Sequence, residues 1–351
     1  MAPIFTGSRF GFGRSATTAG ATALSFSASL LSTLSAEVGG SQAQAAPYIA
    51  QTSDGSVILA SGNRNSVYRS TNGGQTWTLT YDGTETSFNY GHSGGIYIND
   101  SGTHAIASPS GSNFGKILYS SNGGQSWTTK VTTSDSNYVG VYDQTTGIVM
   151  IGDRGAGGGA SSQINRSSDH GVNWTVPLSS NESDHNMVSM KKGSAGNAVG
   201  WSVSKYYTST DGGASWTQQT TPSGHIFTAT RYTIFDSTGK YYYPRDGTKT
   251  ILSATTLTGA RTSTSISSTG NVTCLQIDSS DIIYVGTDVG EIFYSTDYGV
   301  SYQALTAWNT YHTAEKYISD ISTQSSSGRF LVGTAEGSSG NKIHVLQKTG
   351  G

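Results

Sequence analysis

Cysteine is almost missing: Cys274 is the only one in 351 residues. A single thiol excludes an internal disulfide and a cysteine-based metal cluster. Between Val272 and Leu275 it reads as a buried thiol in a strand. Charge is scarce as well, at 12% Asp, Glu, Lys and Arg, with a net −2. No basic run marks nucleic acid as a partner. No stretch approaches the ~18 continuous apolar residues of a membrane span. His92, His185, His225 and His312 stand apart without metal-ligand spacing, and no His-Glu-x-x-His or P-loop pattern occurs. Neither a metal nor a cofactor is expected.

What the chain does have is glycine, 46 residues of it, and one phrase written five times. Ser70-Thr71-Asn72-Gly73-Gly74-Gln75-Thr76-Trp77 (box 1) returns as Ser120-Ser121-Asn122-Gly123-Gly124-Gln125-Ser126-Trp127 (box 2). It returns again as Ser209-Thr210-Asp211-Gly212-Gly213-Ala214-Ser215-Trp216 (box 4). Ser167-Ser168-Asp169-His170-Gly171-Val172-Asn173-Trp174 (box 3) and Ser295-Thr296-Asp297-Tyr298-Gly299-Val300-Ser301-Tyr302 (box 5) are looser copies. Each follows a short apolar or aromatic run and ends on an aromatic residue, which predicts strand, tight turn, strand. Asn or Asp bonds its own backbone two residues on, and Gly supplies positive φ. The aromatic ring is large enough to close the hairpin against its neighbour. If the ring is fully buried, Trp127→Ala should cost about 3–5 kcal/mol.

The phrase resembles the Asp-box, or BNR repeat, of sialidase-like β-propellers, whose consensus is Ser-x-Asp-x-Gly-x-Thr-Trp. The resemblance implies a structural role for the boxes on outer hairpins away from the ligand face. It implies little about activity, because one fold hosts many functions.

The box serines at 70, 120, 167, 209 and 295 are 50, 47, 42 and 86 residues apart, and the last gap is twice 43. A unit without a box is therefore expected near residue 252, where Tyr241-Tyr242-Tyr243 and Thr250-Ile251-Leu252-Ser253 supply strands before a turn at Thr258-Gly259. Another step reaches Lys342-Ile343-His344-Val345-Leu346, the strand that precedes a box. Units one and six each read as four strands, and radially repeated four-stranded units are propeller blades. The expectation is an all-β, seven-bladed propeller over residues 47–351, with sixfold closure as the alternative. The seventh unit shows three strands, and an open ring would leave edges unpaired. The alternation Ala23-Leu24-Ser25-Phe26-Ser27-Ala28-Ser29-Leu30 has the period of a half-buried strand and is the expected donor of the fourth.

Residues 1–46 stand outside the repeat as an extended tether. Phe5, Arg9, Phe10, Phe12 and Arg14 are separated by glycines and suit pockets on another chain. This opening resembles that of some tailed-phage virion proteins. That resemblance implies a virion location, partners among other virion proteins through residues 1–22, and several copies in an assembly. Ala43-Gln44-Ala45 before Ala46-Pro47 is similar to a signal-peptidase site, so a secreted or periplasmic binding or assembly-factor propeller is the alternative.

A ligand is expected on the rim carrying the second-to-third-strand loops and the connections between blades. Candidate binding residues there are Arg64, Tyr90, His92, Asp153, Arg154, His185, Arg245, Asp288, Trp308, Tyr311 and Glu336. Exposed aromatics beside carboxylates and amides suit a sugar, so a host-surface glycan is the ligand class. Sialidases of this fold hold a carboxylate with three arginines. Arg64, Arg154 and Arg245 fall on suitable loops, but the Arg-Ile-Pro motif that marks the first of that triad is missing. Other propeller glycosidases need two carboxylates facing each other across the cleft, for which Asp153, Asp288 and Glu336 are the candidates. A non-enzymatic protein is expected, with a glycoside hydrolase as the alternative.

Overall fold

A computed structural model describes residues 24–33, 47–61, 66–82, 95–108, 110–111, 114–133, 140–153, 162–180, 185–193, 196–202, 205–220, 232–245, 247–312, 317–335 and 341–349. Among them lie seven antiparallel sheets in chain order. Blade 1 is β2 (Ile49–Gln51), β3 (Ile58–Ser61), β4 (Val67–Ser70) and β5 (Thr78–Tyr81). Blade 2 is β6 (Ile96–Ile98), β7 (Ala105–Ala107), β9 (Phe114–Ser120) and β10 (Thr128–Thr133), with the short β8 (Ser110–Gly111) paired to β9. Blade 3 is β11 (Val141–Asp143), β12 (Ile148–Gly152), β13 (Ser162–Ser167) and β14 (Thr175–Ser180). Blade 4 is β15 (His185–Met190), β16 (Ala198–Ser202), β17 (Tyr206–Ser209) and β18 (Thr217–Gln219). The blade without a box is blade 5, made of β19 (Ile234–Phe235), β20 (Tyr241–Pro244), β21 (Thr250–Ala254) and β22 (Thr262–Ser265). Blade 6 is β23 (Val272–Ile277), β24 (Ile283–Thr287), β25 (Ile292–Ser295) and β26 (Gln303–Ala304), followed by a helix α1 (Thr306–Tyr311).

Blade 7 holds β27 (Ile318–Ile321), β28 (Arg329–Ala335) and β29 (Asn341–Lys348), and its outer strand is β1 (Phe26–Thr33) from the other end of the chain. β1 overlaps the alternating stretch over Phe26–Leu30 and starts three residues later than the alternation does. Phe26 stands opposite Lys348 and Thr33 opposite Lys342, with a register shift between Leu30 and Ser32. Leu24, Phe26 and Ala28 pack on the core shared by blades 6 and 7, whereas Leu31 packs on the core shared by blades 7 and 1. One strand therefore ties its blade to both neighbours.

The second strands are the most deeply buried, as at Ile148–Gly152 and Ile283–Thr287, while fourth strands such as Thr217–Gln219 face solvent. The apolar cores lie between blades, so the way one blade grips the next decides stability.

The boxes supply much of that grip. In each, the first Ser hydroxyl donates to the Asn or Asp carboxyl or amide oxygen and accepts the N–H of the second turn residue, as in Ser120 Oγ to Asn122 Oδ1 at 2.8 Å and Gly124 N to Ser120 Oγ at 2.8 Å. Ser126 N donates to Asn122 Oδ1 at 3.0 Å. The same bonds recur around Ser70, Ser167, Ser209 and Ser295. Gly124 has φ 81°, and a Cβ there would stand 2.7 Å from Leu59 of blade 1. The equivalent glycines press on Leu31, Ile106, Met150 and Tyr242, each in the preceding blade. The box aromatics Trp77, Trp127, Trp174, Trp216 and Tyr302 pack in those same interblade clusters.

A cation from the preceding blade often completes the joint. Arg329, Arg69 and Arg166 each donate at 2.8 Å to the carbonyls of Gly73, Gly123 and Gly212. Lys240 donates to Tyr298 O at 2.7 Å. Trp127 is only half-buried, and its Nε1 donates to Thr80 Oγ1 of blade 1 at 3.1 Å. Trp127→Ala is therefore expected to cost about 2–3 kcal/mol, at the low end for a lost buried aromatic. Urea unfolding checks this, and a loss under about 1 kcal/mol would show that box aromatics do not hold blades together.

Where blade 5 lacks its box, the slot of the aromatic is taken by Arg261, seven residues after the end of β21. Its guanidinium lies over Tyr206 of blade 4 and Tyr241 of blade 5, at 5.4 and 5.2 Å from the ring centres, and Nε donates to Tyr243 Oη at 3.2 Å. Cation–π contact and a stack of Trp201 on Tyr206 at 3.9 Å do here what box tryptophans do elsewhere.

Candidate functional site: the rim opposite the boxes

The box hairpins and the first-to-second-strand turns occupy one rim. The second-to-third-strand loops and the blade-to-blade connections occupy the other. Phe26 pairs with the box end of β29, and Thr349 N donates to Ser25 O at 2.8 Å, so both Ser25 and Thr349 lie at the box rim.

Of the residues expected on that opposite rim, Arg64, Tyr90, His92, Arg154 and Glu336 lie outside the described residues, as do Phe5, Arg9, Phe10, Phe12 and Arg14. His185 begins β15, and its side chain is likewise outside them. Asp153 closes β12 with its N–H on Gln163 O at 2.8 Å and is 3% exposed. Arg245 is exposed just after β20. Asp288 is half-buried and is spent on a turn: Oδ1 accepts Asn271 N at 2.8 Å and Oδ2 accepts Asn271 Nδ2 at 3.0 Å.

Trp308 does not face a ligand. The connection after blade 6, read from sequence as an extended rim segment, winds into α1 and buries Trp308 completely. Burial is tolerated because the indole N–H donates to Gly290 O at 2.9 Å. His312 stacks on the indole at 4.6 Å, and His344 of β29 meets it edge-on at 5.3 Å. Tyr311 remains 39% exposed, with its hydroxyl 3.2 Å from His344 Nδ1, whose other nitrogen is 3.1 Å from Thr334 Oγ1. The structure thus brings Tyr311 and Trp308 together with two histidines, but as a plug over the junction of blades 6 and 7.

The floor of this rim contains two residues that carried no sequence signal. Tyr232 packs on the cores of blades 1 and 2, of blades 5 and 6, and of blades 6 and 7. Blades 1 and 5 are not neighbours, so a side chain that reaches both lies across the central axis. Its hydroxyl donates to Ser319 O at 2.9 Å. Beside it, Asp320 of β27 accepts Ile49 N from blade 1 at 2.8 Å. Burial pushes its carboxyl up to about 7, against the Ile49 and Ile321 N–H groups and the Tyr232 hydroxyl, which favour the charged form. Gln51 Nε2, donating to Thr323 O at 2.9 Å and Arg329 O at 3.0 Å, strengthens the same seam.

Chemically, two of the described carboxylates near this rim are engaged in structure: Asp288 with Asn271, and Glu291 with the Ser268 hydroxyl. Among the described residues no group of three or more His, Cys, Asp or Glu could hold a metal ion, and no helix is long and apolar enough to cross a membrane.

The BNR/Asp-box repeat family model matches residues 68–79, which contain box 1. No curated protein matches the sequence. Solved structures do match over nearly the whole chain. YCF48 bound to D1 peptide aligns at 16% identity and a TM-score of 0.57, covering 92% of this chain and 96% of that one. YCF48 from Cyanidioschyzon merolae aligns at 13% and 0.61, covering 92% and 98%. A streptogramin B lyase aligns at 14% and 0.63, again covering 92% and 98%. At such identities the likeness is one of fold, and with the seven sheets it makes this chain a seven-bladed β-propeller, with a BNR/Asp-box repeat matched at box 1.

Proposed function

We propose that this chain is a non-enzymatic docking propeller of a larger assembly, held by residues 1–22 and turned so that the rim opposite the boxes faces outward. The assembly proposed is a phage virion, with the propeller near the tail and a host-surface glycan as its ligand. The observation that carries this reading is the polarity of β1. The strand that follows Phe5, Phe10, Phe12 and two arginines in the chain starts at the box rim, and the order of strands assigns the connections rich in aromatics, amides and carboxylates to the other. A body anchored by one end presents the other, and many copies on one particle turn weak sites into avidity.

Deleting residues 1–22 separates tether from fold, because β1 is retained. The shortened protein is expected to melt as the full chain does and to be lost from particles of the native source. Normal incorporation of the truncated protein would exclude the tether.

A second reading follows from a structural neighbour. YCF48 bound to D1 peptide shares this fold, so the outward rim is alternatively a peptide-binding face of an assembly factor. Binding of the isolated ring to extended peptides, with no glycan bound on an array, would favour that reading. An enzymatic reading has support in the fold shared with a lyase, but the engagement of Asp288 with Asn271 weighs against its use in a glycosidase pair.

A further inference from the structure

Among the described residues three non-glycines have a left-handed backbone: His170 (φ 60°), Asp281 (φ 60°) and Tyr298 (φ 57°). The fold uses the first two side chains. His170 stacks on His104 at 4.8 Å and lies 2.9 Å from the Tyr142 hydroxyl. Asp281 accepts the N–H and hydroxyl of Ser237, at 2.9 and 2.5 Å. Tyr298 differs. Its carbonyl accepts Lys240 Nζ and Tyr242 Oη, but its ring is 47% exposed and takes part in no hydrogen bond or ring contact among the described residues.

The same position is Gly73, Gly123 and Gly212 in boxes 1, 2 and 4, where a left-handed backbone is free of steric cost. Two residues on, Val300 is 72% exposed where boxes 1 and 2 carry Gln75 and Gln125. Box 5 thus sets a strained tyrosine and a bare valine at its tip, and neither serves the hairpin. Strain retained where the fold gains nothing points to use by something outside it.

The place narrows what that is. Box 5 starts one residue after Tyr294, whose ring lies 5.6 Å from Phe26 at the head of β1. Lys348, the register partner of Phe26, pairs with Asp278 of blade 6 at 3.2 Å. The head of β1, which residues 1–23 precede in the chain, therefore lies beside blade 6, on the rim that carries box 5.

We propose that Tyr298 and Val300 form a second contact with the surface that holds residues 1–22, an apolar protein surface with a recess for a phenol ring. The proposal rests on the reading of that segment as a tether. A flexible segment alone fixes distance, whereas a rigid second contact beside its root also fixes orientation and sets the opposite rim outward. Tyrosine suits the role, since it adds contact area at small entropic cost and is enriched in interfaces.

The test compares the full chain, Tyr298→Gly/Val300→Gln, Val172→Gln and the deletion of 1–22 on particles of the native source. Retention after dilution and melting temperature are both read. The double variant is expected to melt about 1–3 °C higher, because glycine relieves the strained backbone. It is also expected to leave the particle at least about tenfold faster. Val172→Gln, at the exposed tip of box 3, is expected to behave as the full chain does. Unchanged retention of the double variant overturns the contact, as does an equal loss from Val172→Gln. If the double variant is lost while the deletion of 1–22 is retained, the tether reading fails and the contact at box 5 stands.

Discussion

A chain starting at residue 34 is expected not to form a stable ring, in contrast to one starting at residue 23. Loss of β1 strips the seventh blade of its outer strand and leaves the full length of β29 (Asn341–Lys348) as an open edge. It also removes Leu24, Phe26, Ala28 and Leu31 from two interblade cores. Four half-buried apolar side chains and a strand ladder are together worth on the order of 5–8 kcal/mol. That is comparable to the whole stability of a typical domain, about 5–15 kcal/mol. The exposed strand edge is then a template for aggregation. The shorter protein is expected to be recovered as aggregate or to bind a hydrophobic dye. Adding a synthetic peptide of residues 23–34 should restore a cooperative melt. If the chain from 34 melts within a few degrees of the chain from 23, β1 is not a closing element.

The second large effect is a pH dependence centred on Asp320. Its carboxyl is raised from 3.8 to about 7 in the folded ring, since burial outweighs the donors that face it. Between those values the unfolded chain has released a proton that the folded chain keeps. The contribution of this group is therefore fully present below about pH 4 and is lost as the pH rises through about 7. The difference amounts to about 4 kcal/mol. Asp320→Asn keeps an acceptor for Ile49 N and removes the ionisation. The variant is expected to be no more stable than the parent at pH 5, more stable at pH 8.5, and flatter between. Parallel stability curves for the two proteins would exclude Asp320 as the source. Asp320→Ala, which leaves the buried Ile49 N–H without its acceptor, is expected to destabilise at every pH.

The ring was legible in the sequence because the boxes act as a ruler. Their spacing located β21 (Thr250–Ala254) in a blade that has no box, and it counted seven units. Local chemistry was equally readable: the Ser hydroxyl and Asn or Asp oxygen make the bonds that their positions implied. The wedge of each box into the preceding blade was not readable, because the partners Leu31, Leu59, Ile106, Met150 and Tyr242 come from elsewhere in the chain and look like any strand residue. Arg261 could have been found by carrying the box register into blade 5, where it falls on the aromatic position. Trp308 could not. An indole beside Asn309 and Tyr311 looks like a sugar platform until the Gly290 carbonyl is seen to satisfy its N–H. Tyr232 and Asp320 matter only through their place at the axis, which no local pattern encodes.

The closing strand also sets a timetable. Ser25 and Thr349, which bond to each other in the finished ring, are 324 residues apart in the chain. On a ribosome adding about 5–20 residues per second, β1 waits on the order of tens of seconds before its partner strand exists. Through that interval its apolar residues alternate with Ser25, Ser27 and Ser29, which temper its stickiness without abolishing its register. Closure then waits until β29 has been made. A chain that terminates before β29 keeps β1 unpaired, so only copies that include β29 close the ring.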